Sequence, residues 1–242
     1  MSSLPGTKSR RRIYLMRHGH VDYLARHVVA SGDIHSVPLT PRGRSQAEAA
    51  GKAFAHVEFD RAICSGLPRT RETAEIVLNF QKNAPRLEIV ADLIEIQGGK
   101  MQPVKSRDEL IERMNHTFAS AGKPGATNHE GGEIFANAQS RAVKAITNLL
   151  AEPGWKQMLI VAHEGINRLV LSWAAGAGLH AMGGFEQDTG CVNVLDFDMK
   201  GSEIDHPIIK AVNLTPYNYL KHGMNLTSLE AIFERDVANV LV

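Results

Sequence analysis

Ile13-Tyr14-Leu15-Met16-Arg17-His18-Gly19 is the stretch on which the reading of this chain turns. Apolar residues 13–16, bounded by charge, fit a short strand buried on both faces, which needs no polar alternation. The run stops abruptly on a cation, an imidazole and a glycine. In open α/β sheets ligands sit beyond the carboxyl ends of strands. Polar groups placed directly after a strand are therefore candidates for a site.

Other segments end in the same manner. Residues 62–64 are a strand candidate, followed by the turn Ser65-Gly66-Leu67-Pro68 and a helix over about 69–80. Residues 158–162 form a clear apolar strand that ends on His163-Glu164-Gly165, with an apolar helix over 166–175 behind it. Residues 87–90 read as a strand with Glu95 just beyond. Thr40-Pro41 looks like an N-cap with proline in the first turn of a helix running to about residue 55. Residues 191–197 and 208–214 read as later strands. Strands alternating with helices imply an α/β fold whose mostly parallel sheet is covered on both faces. In such a sheet Arg17, His18, Arg69, Glu95 and His163 would meet at one edge.

Residues 97–131 break the alternation. Ser106-Arg107-Asp108-Glu109 is a capping box, and Leu110, Ile111, Met114 and Phe118 follow at helical spacing. The segment reads as a helical insertion placed to act as a lid. A second capping box, Thr227-Ser228-Leu229-Glu230, precedes an apolar stripe over 232–240. That stripe is expected to dock on the body, and it leaves a homodimer open.

The 242 residues carry a formal net charge of +1, with 43% hydrophobic and 22% charged residues. This is an ordinary globular balance for one domain over 1–242, with nothing global that favours nucleic acid or a membrane surface. Arg10, Arg11 and Arg12 read as a solvated tail before the first strand, with residues 1–11 expected to be flexible. The two cysteines, Cys64 and Cys191, cannot build a disulfide framework and suit a reducing cytoplasm. No signal peptide or membrane-spanning run is apparent.

The converging set has a chemistry. A phosphoryl group needs fixed positive charge on its oxygens, and guanidinium forks match its geometry. A neutral imidazole can act as a nucleophile, and neighbouring arginines favour the neutral state. A carboxylic acid can protonate a leaving oxygen and later activate water. Alone, each of these residues reads as an ordinary ion pair or a hydrogen-bonded polar group. His18-x-His20 with Asp22 could suggest a metal, yet alternate strand residues point to opposite faces, and no other cluster has ligand spacing.

Together the motifs resemble the histidine phosphatase superfamily, which includes the phosphoglycerate mutases. Leu15-Met16-Arg17-His18-Gly19 is similar to its signature. Gly32, Pro38-Leu39-Thr40-Pro41-Arg42-Gly43 and Gln46-Ala47 resemble the next motif. Ser65 to Ala74 resembles the second-arginine motif, Leu93-Ile94-Glu95-Ile96 with Gly99 the acid-bearing one, Gly132-Glu133 a helix start, and Val161 to Gly165 the second-histidine motif.

The resemblance, over about residues 13–197, implies a three-layer α/β/α sandwich with a lid. It also implies His18 as the phosphorylated nucleophile, Arg17, Arg69 and His163 as the phosphate clamp, and Glu95 as proton donor and acceptor. Gly32 would lie on the substrate side, and neither metal nor cofactor is implied. The pattern departs at His20 and Val21, at Leu24 and at Met101-Gln102-Pro103, all on the substrate-facing half. The expected activity is hydrolysis of a small phosphorylated metabolite. A phosphoglycerate mutase is the alternative, and a phosphate-binding scaffold a more distant one. His27, His35 and Lys100 are candidates for touching a second anionic group, each with a solvated surface role as its plainer reading.

Overall fold

A computed structural model of the chain describes residues 7, 9–100, 106–115 and 117–232. Six strands make one sheet: β1 (Arg11–Arg17), β2 (Arg61–Cys64), β3 (Leu87–Ile89), β4 (Gln157–Ala162), β5 (Val192–Lys200) and β6 (Glu203–Leu214). Their spatial order is β3-β2-β4-β1-β5-β6. The first four in that order run parallel, and β5 and β6 add an antiparallel flank beside β1.

Register fixes the site. Arg17 lies opposite Ala162 across the β1–β4 pair, and Cys64 lies opposite Val161 across β2–β4. The three central strands therefore end almost level, and the residues that follow them leave by the same edge.

Alternation along β1 divides the core in two, because successive side chains point to opposite faces. Ile13 and Leu15 join the cluster that includes Phe135, Ile146, Ile160 and Leu169. Tyr14 and Met16 join Ala50, Phe54, Val77, Leu159 and Val161. Helices α2 (Pro41–Ala53) and α3 (Pro68–Leu78) cover this second face, and α5 (Phe135–Ala151) and α6 (Glu164–Ala174) cover the first. The result is three layers. Thr40 caps α2, its hydroxyl oxygen accepting from the Gly43 N–H at 3.2 Å, with Pro41 at the first helical position.

Some elements differ from expectation. A six-residue helix, α1 (Arg26–Ser31), starts without a side-chain cap. The insertion holds α4 (Arg107–Asn115), started by the expected bond from the Glu109 N–H to Ser106 Oγ at 3.1 Å. The insertion's base is closed by a bridge between Lys100 and Glu130. Residues 101–105, including the departing Met101-Gln102-Pro103, fall outside the described residues.

Arg10 to Arg12 correct the solvated-tail reading. Arg10 pairs with Asp198 at 2.7 Å, Arg12 pairs with Asp196 at 2.6 Å, and Arg11 donates to the Leu150 carbonyl with its guanidinium over the Trp155 ring. Arg10 and Arg11 are therefore no part of the flexible tail expected over 1–11, and residues 1–6 and 8 lie outside the described set. The second capping box forms, Thr227 and Glu230 bonding reciprocally, and leads into a short turn, Glu230–Ile232. The stripe beyond Ile232 lies outside the described residues. Among the described residues no helix is long and apolar enough to cross a membrane.

One close approach holds the edge of the sheet to α2. A Cβ on Gly19 would stand 2.4 Å from the Gly43 carbonyl oxygen, and one on Gly43 would stand 2.2 Å from the His20 carbonyl oxygen. Both obstacles are backbone and cannot swing aside. Gly43→Ala should therefore destabilise the chain by about 1–3 kcal/mol, the usual cost of overpacking, despite the better helix propensity of alanine. Urea unfolding of the variant checks this; unchanged stability would show that the two segments can part freely.

Candidate active site

The backbone at His18 is clamped before its side chain is considered. Its N–H donates to the Ala162 carbonyl at 3.1 Å, and its own carbonyl accepts from the Gly190 N–H at 3.0 Å. The Gly19 N–H donates to Thr73 Oγ1 at 3.1 Å. The imidazole Nδ1 lies 2.7 Å from the Gly19 carbonyl oxygen. A carbonyl can only accept, so Nδ1 carries the proton and Nε2 keeps its lone pair.

His163 stands at the N-cap position of α6, its ring centroid 5.3 Å from that of His18. Its Nε2 lies 2.8 Å from Ser65 Oγ, which lies 3.0 Å from Thr70 Oγ1. Arg69 is the second residue of α3; its Nη1 donates to the Ile34 carbonyl at 3.1 Å, and its guanidinium faces the Tyr23 ring at 5.8 Å. Arg17 donates to the Gln187 carbonyl and pairs with Glu164 at 3.0 Å. Arg17, His18, Arg69 and His163 are all buried.

Glu95 reaches the same place from beyond β3. Its carboxylate oxygens accept from the N–H groups of Ile96 at 3.0 Å, Gly165 at 3.2 Å and Ile166 at 3.3 Å. The last two belong to the first turn of α6, where the helix offers unpaired donors. The structure thus brings together His18, Arg17, Arg69, His163 and Glu95.

Gly32 has a different place. It is the left-handed cap of α1 at φ 67°, exposed, with its N–H on the Val28 carbonyl. Its identity is explained by backbone conformation and not by contact with the cluster. His20 turns its Nδ1 to Thr40 Oγ1 at 2.8 Å, and His27, His35 and Lys100 are exposed.

Electrostatics follow from this crowding. Burial, then Arg69 and Arg17, hold the His18 imidazole far below the usual histidine range. Burial, His18 and the two arginines do the same to His163. Burial pushes the Glu95 carboxyl up, the neighbouring Glu164 adds to the rise, and the backbone donors oppose it. Both imidazoles are therefore neutral, and Glu95 is displaced towards its protonated form.

Three buried side-chain atoms of the cluster have no partner: Arg17 Nε, Arg69 Nε and His163 Nδ1. Among the described residues the only others are Asn128 Oδ1 and Arg168 Nε. A buried group left unpaired costs about 1–3 kcal/mol. Three of them around one imidazole fit an anion seated there.

Residues 13–209 match the model of the histidine phosphatase superfamily, branch 1. The chain belongs to this superfamily. It is similar to the adenosylcobalamin/alpha-ribazole phosphatase of Escherichia coli, 29% identical over 193 residues that cover 78% of this chain and 91% of that one. It is also similar to a probable 2-carboxy-D-arabinitol-1-phosphatase of Arabidopsis thaliana, 28% identical over 88% of this chain and 44% of that one. The crystal structure of the alpha-ribazole phosphatase from Shigella flexneri shares the fold at a TM-score of 0.62 and 24% identity, covering 84% of this chain and 96% of that one.

In this superfamily member, sequence reading gave Glu164 no place in the cluster, and it set Ser65 after β2 and Tyr23 on a substrate-side loop without their contacts to His163 and Arg69. Glu164 stands directly after His163, but nothing in that adjacency says that its carboxylate turns to Arg17.

The neutral imidazoles set a pH dependence. Unfolded, His18 and His163 take up protons near pH 6.5, whereas folded they stay neutral well below it. The unfolded state then binds more protons below pH 6.5, so stability falls as pH falls, by up to about 1.4 kcal/mol per unit for each residue. Glu95 works in the opposite sense: its raised carboxyl loses its stabilising contribution as pH rises past the ordinary 4.5. Between pH 7 and 5.5 the histidines dominate. Urea unfolding across that window should show a shallower decline in His163→Gln than in the wild type; equal slopes would mean that His163 is protonated in the fold.

Proposed function

We propose that this chain is a phosphatase of small phosphate monoesters that works through a phosphohistidine on His18. The observation that carries the reading is the set of buried unpartnered atoms, Arg17 Nε, Arg69 Nε and His163 Nδ1, around an imidazole whose Nδ1 is already engaged. The names of the relatives, both phosphatases, support the same direction.

Arg17, Arg69 and His163 hold the phosphoryl oxygens. The His18 Nε2 lone pair forms a bond to phosphorus as the bond from phosphorus to the leaving oxygen breaks. The Glu95 carboxyl gives that oxygen its proton and becomes a carboxylate. Water then attacks the phosphohistidine and hands its proton back to Glu95; the P–N bond breaks and inorganic phosphate leaves. The transition state is loose, so positioning and charge stabilisation dominate. Each charge that develops faces a protein group, so the proposal needs no metal or cofactor. The near-neutral surface gives no reason to invoke nucleic acid or a membrane as partner. A mutase would return the phosphoryl group to a sugar acid instead of to water.

Trapping tests the nucleophile. Wild-type protein mixed with p-nitrophenyl phosphate and quenched in alkali should carry an alkali-stable, acid-labile phosphoryl group, and His18→Ala should carry none; labelling of that variant would remove His18 from the role. Arg69→Ala should lose about 2–4 kcal/mol of transition-state stabilisation, a fall in kcat/KM of roughly 30- to 1000-fold. Glu95→Gln should lower kcat/KM, which reports the first transfer and not the shared hydrolysis, far more for alkyl phosphates than for p-nitrophenyl phosphate, whose leaving group needs no proton; an equal loss of kcat/KM on both would assign the acid elsewhere.

A further inference from the structure

Beside the cluster lies a cavity of about 240 Å³ that the mechanism above does not use. It shares Arg17 and Tyr23 with the cluster. Its remaining walls come mainly from residues 20–24, directly after His18-Gly19, and from residues 217–232. The second piece lies beyond the residues 13–209 that match the superfamily.

That piece is locked in place. The Tyr217 hydroxyl donates to the Thr189 carbonyl at 2.8 Å, and Lys221 pairs with Asp188 at 2.7 Å. The Ser228 hydroxyl donates to Glu164 at 2.7 Å, and Glu164 is the carboxylate that pairs with Arg17. The wall of the cavity is thus tied directly to the phosphoryl cluster.

The lining is mixed. Val21, Leu24, Met224 and Leu226 give it apolar surface, and Arg42 stands at its rim in the first turn of α2. Arg42 is exposed, and none of the ion pairs among the described residues includes it. Of the two carboxylates in the wall, Asp188 is paired with Lys221 and bonded by Asn213, and Asp22 accepts from the Leu24 N–H at 3.0 Å. Among the described residues Arg42 thus lines a small, partly apolar chamber next to the cluster without a carboxylate bonded to it.

We propose that this cavity receives the leaving alcohol, and that the alcohol carries an acid group, a carboxylate or a second phosphoryl group, held by Arg42. Its carbon skeleton lies against Val21, Leu24, Met224 and Leu226. A chamber of about 240 Å³ has room for a small leaving group. The C-terminal wall is built from sequence beyond the residues 13–209 that match the superfamily. The inference rests on reading the cluster as the phosphoryl site.

The test uses the full chain and non-hydrolysable probes: ω-phosphonocarboxylic acids of graded length, each paired with its own carboxamide, titrated by calorimetry. The best-fitting acid should bind about tenfold more tightly than its amide, as expected for a charge-assisted contact. Arg42→Gln should bring the pair to within about twofold, while Arg44→Gln, which removes a neighbouring cation paired with Glu72 at 2.6 Å, should keep the difference. Equal binding of acid and amide to the wild type, tighter binding of the amide, no binding of either, or a preference that survives Arg42→Gln would each overturn the proposal. Trapping of the wild type with p-nitrophenyl phosphate, which lacks a second acid group, separates the two readings. An acid preference without a phosphoenzyme would end the phosphatase reading and leave the acid-binding chamber standing.

Discussion

Two guanidinium groups and two imidazoles crowded together away from water are the condition to which the rest of the molecule answers. Left alone, such a set would repel itself and attract solvent. The fold meets the difficulty in several ways at once. Both imidazoles are kept neutral by burial and by the arginines themselves. Arg17 receives Glu164 and a carbonyl, and Arg69 receives the Ile34 carbonyl. What stays unsatisfied, three polar atoms around His18, is local strain of the kind that accumulates where a ligand is meant to supply the missing partner.

The sheet makes the crowding unavoidable. Because β1, β2 and β4 end in register, the chain cannot place one of the three loops at the edge without the other two. Gly19 and Gly43 then let two backbones approach more closely than any side chain would permit. The position of His18 is thus a property of main-chain geometry, and side chains only tune its electronics.

Much of this was legible in the sequence, for identifiable reasons. Strands covered on both faces appear as uninterrupted apolar runs, so residues 13–16 and 158–162 stood out, and the polar residues after them were candidates at once. The direction of β5 and β6 was not readable, since apolar pattern carries no polarity. Arg10 to Arg12 resembled a tail because their partners, Asp198, Leu150 and Asp196, lie far along the chain. Helix α5 was noticed only at its start, although Phe135, Ala138, Ala142, Ala145 and Leu149 recur at helical spacing. Gly32 was placed with the substrate because a motif included it, whereas its conformation alone accounts for it. The wall over 217–232 could not have been inferred, because its anchors at Thr189, Asp188 and Glu164 are contacts that no local pattern announces.

Glu164 has a bearing on how a reaction cycle would finish. An arginine devoted wholly to an oxyanion grips the product as firmly as the substrate, and turnover stalls on the last step. Here the guanidinium of Arg17 already owns a resident counter-ion, itself steadied by Arg168 at 2.9 Å and by Ser228. Were inorganic phosphate to depart as proposed, that charge would not be abandoned in a dry pocket. In the proposed reaction the permanent carboxylate would share the cation between two tenants, and so would ease the emptying of the site between one turnover and the next.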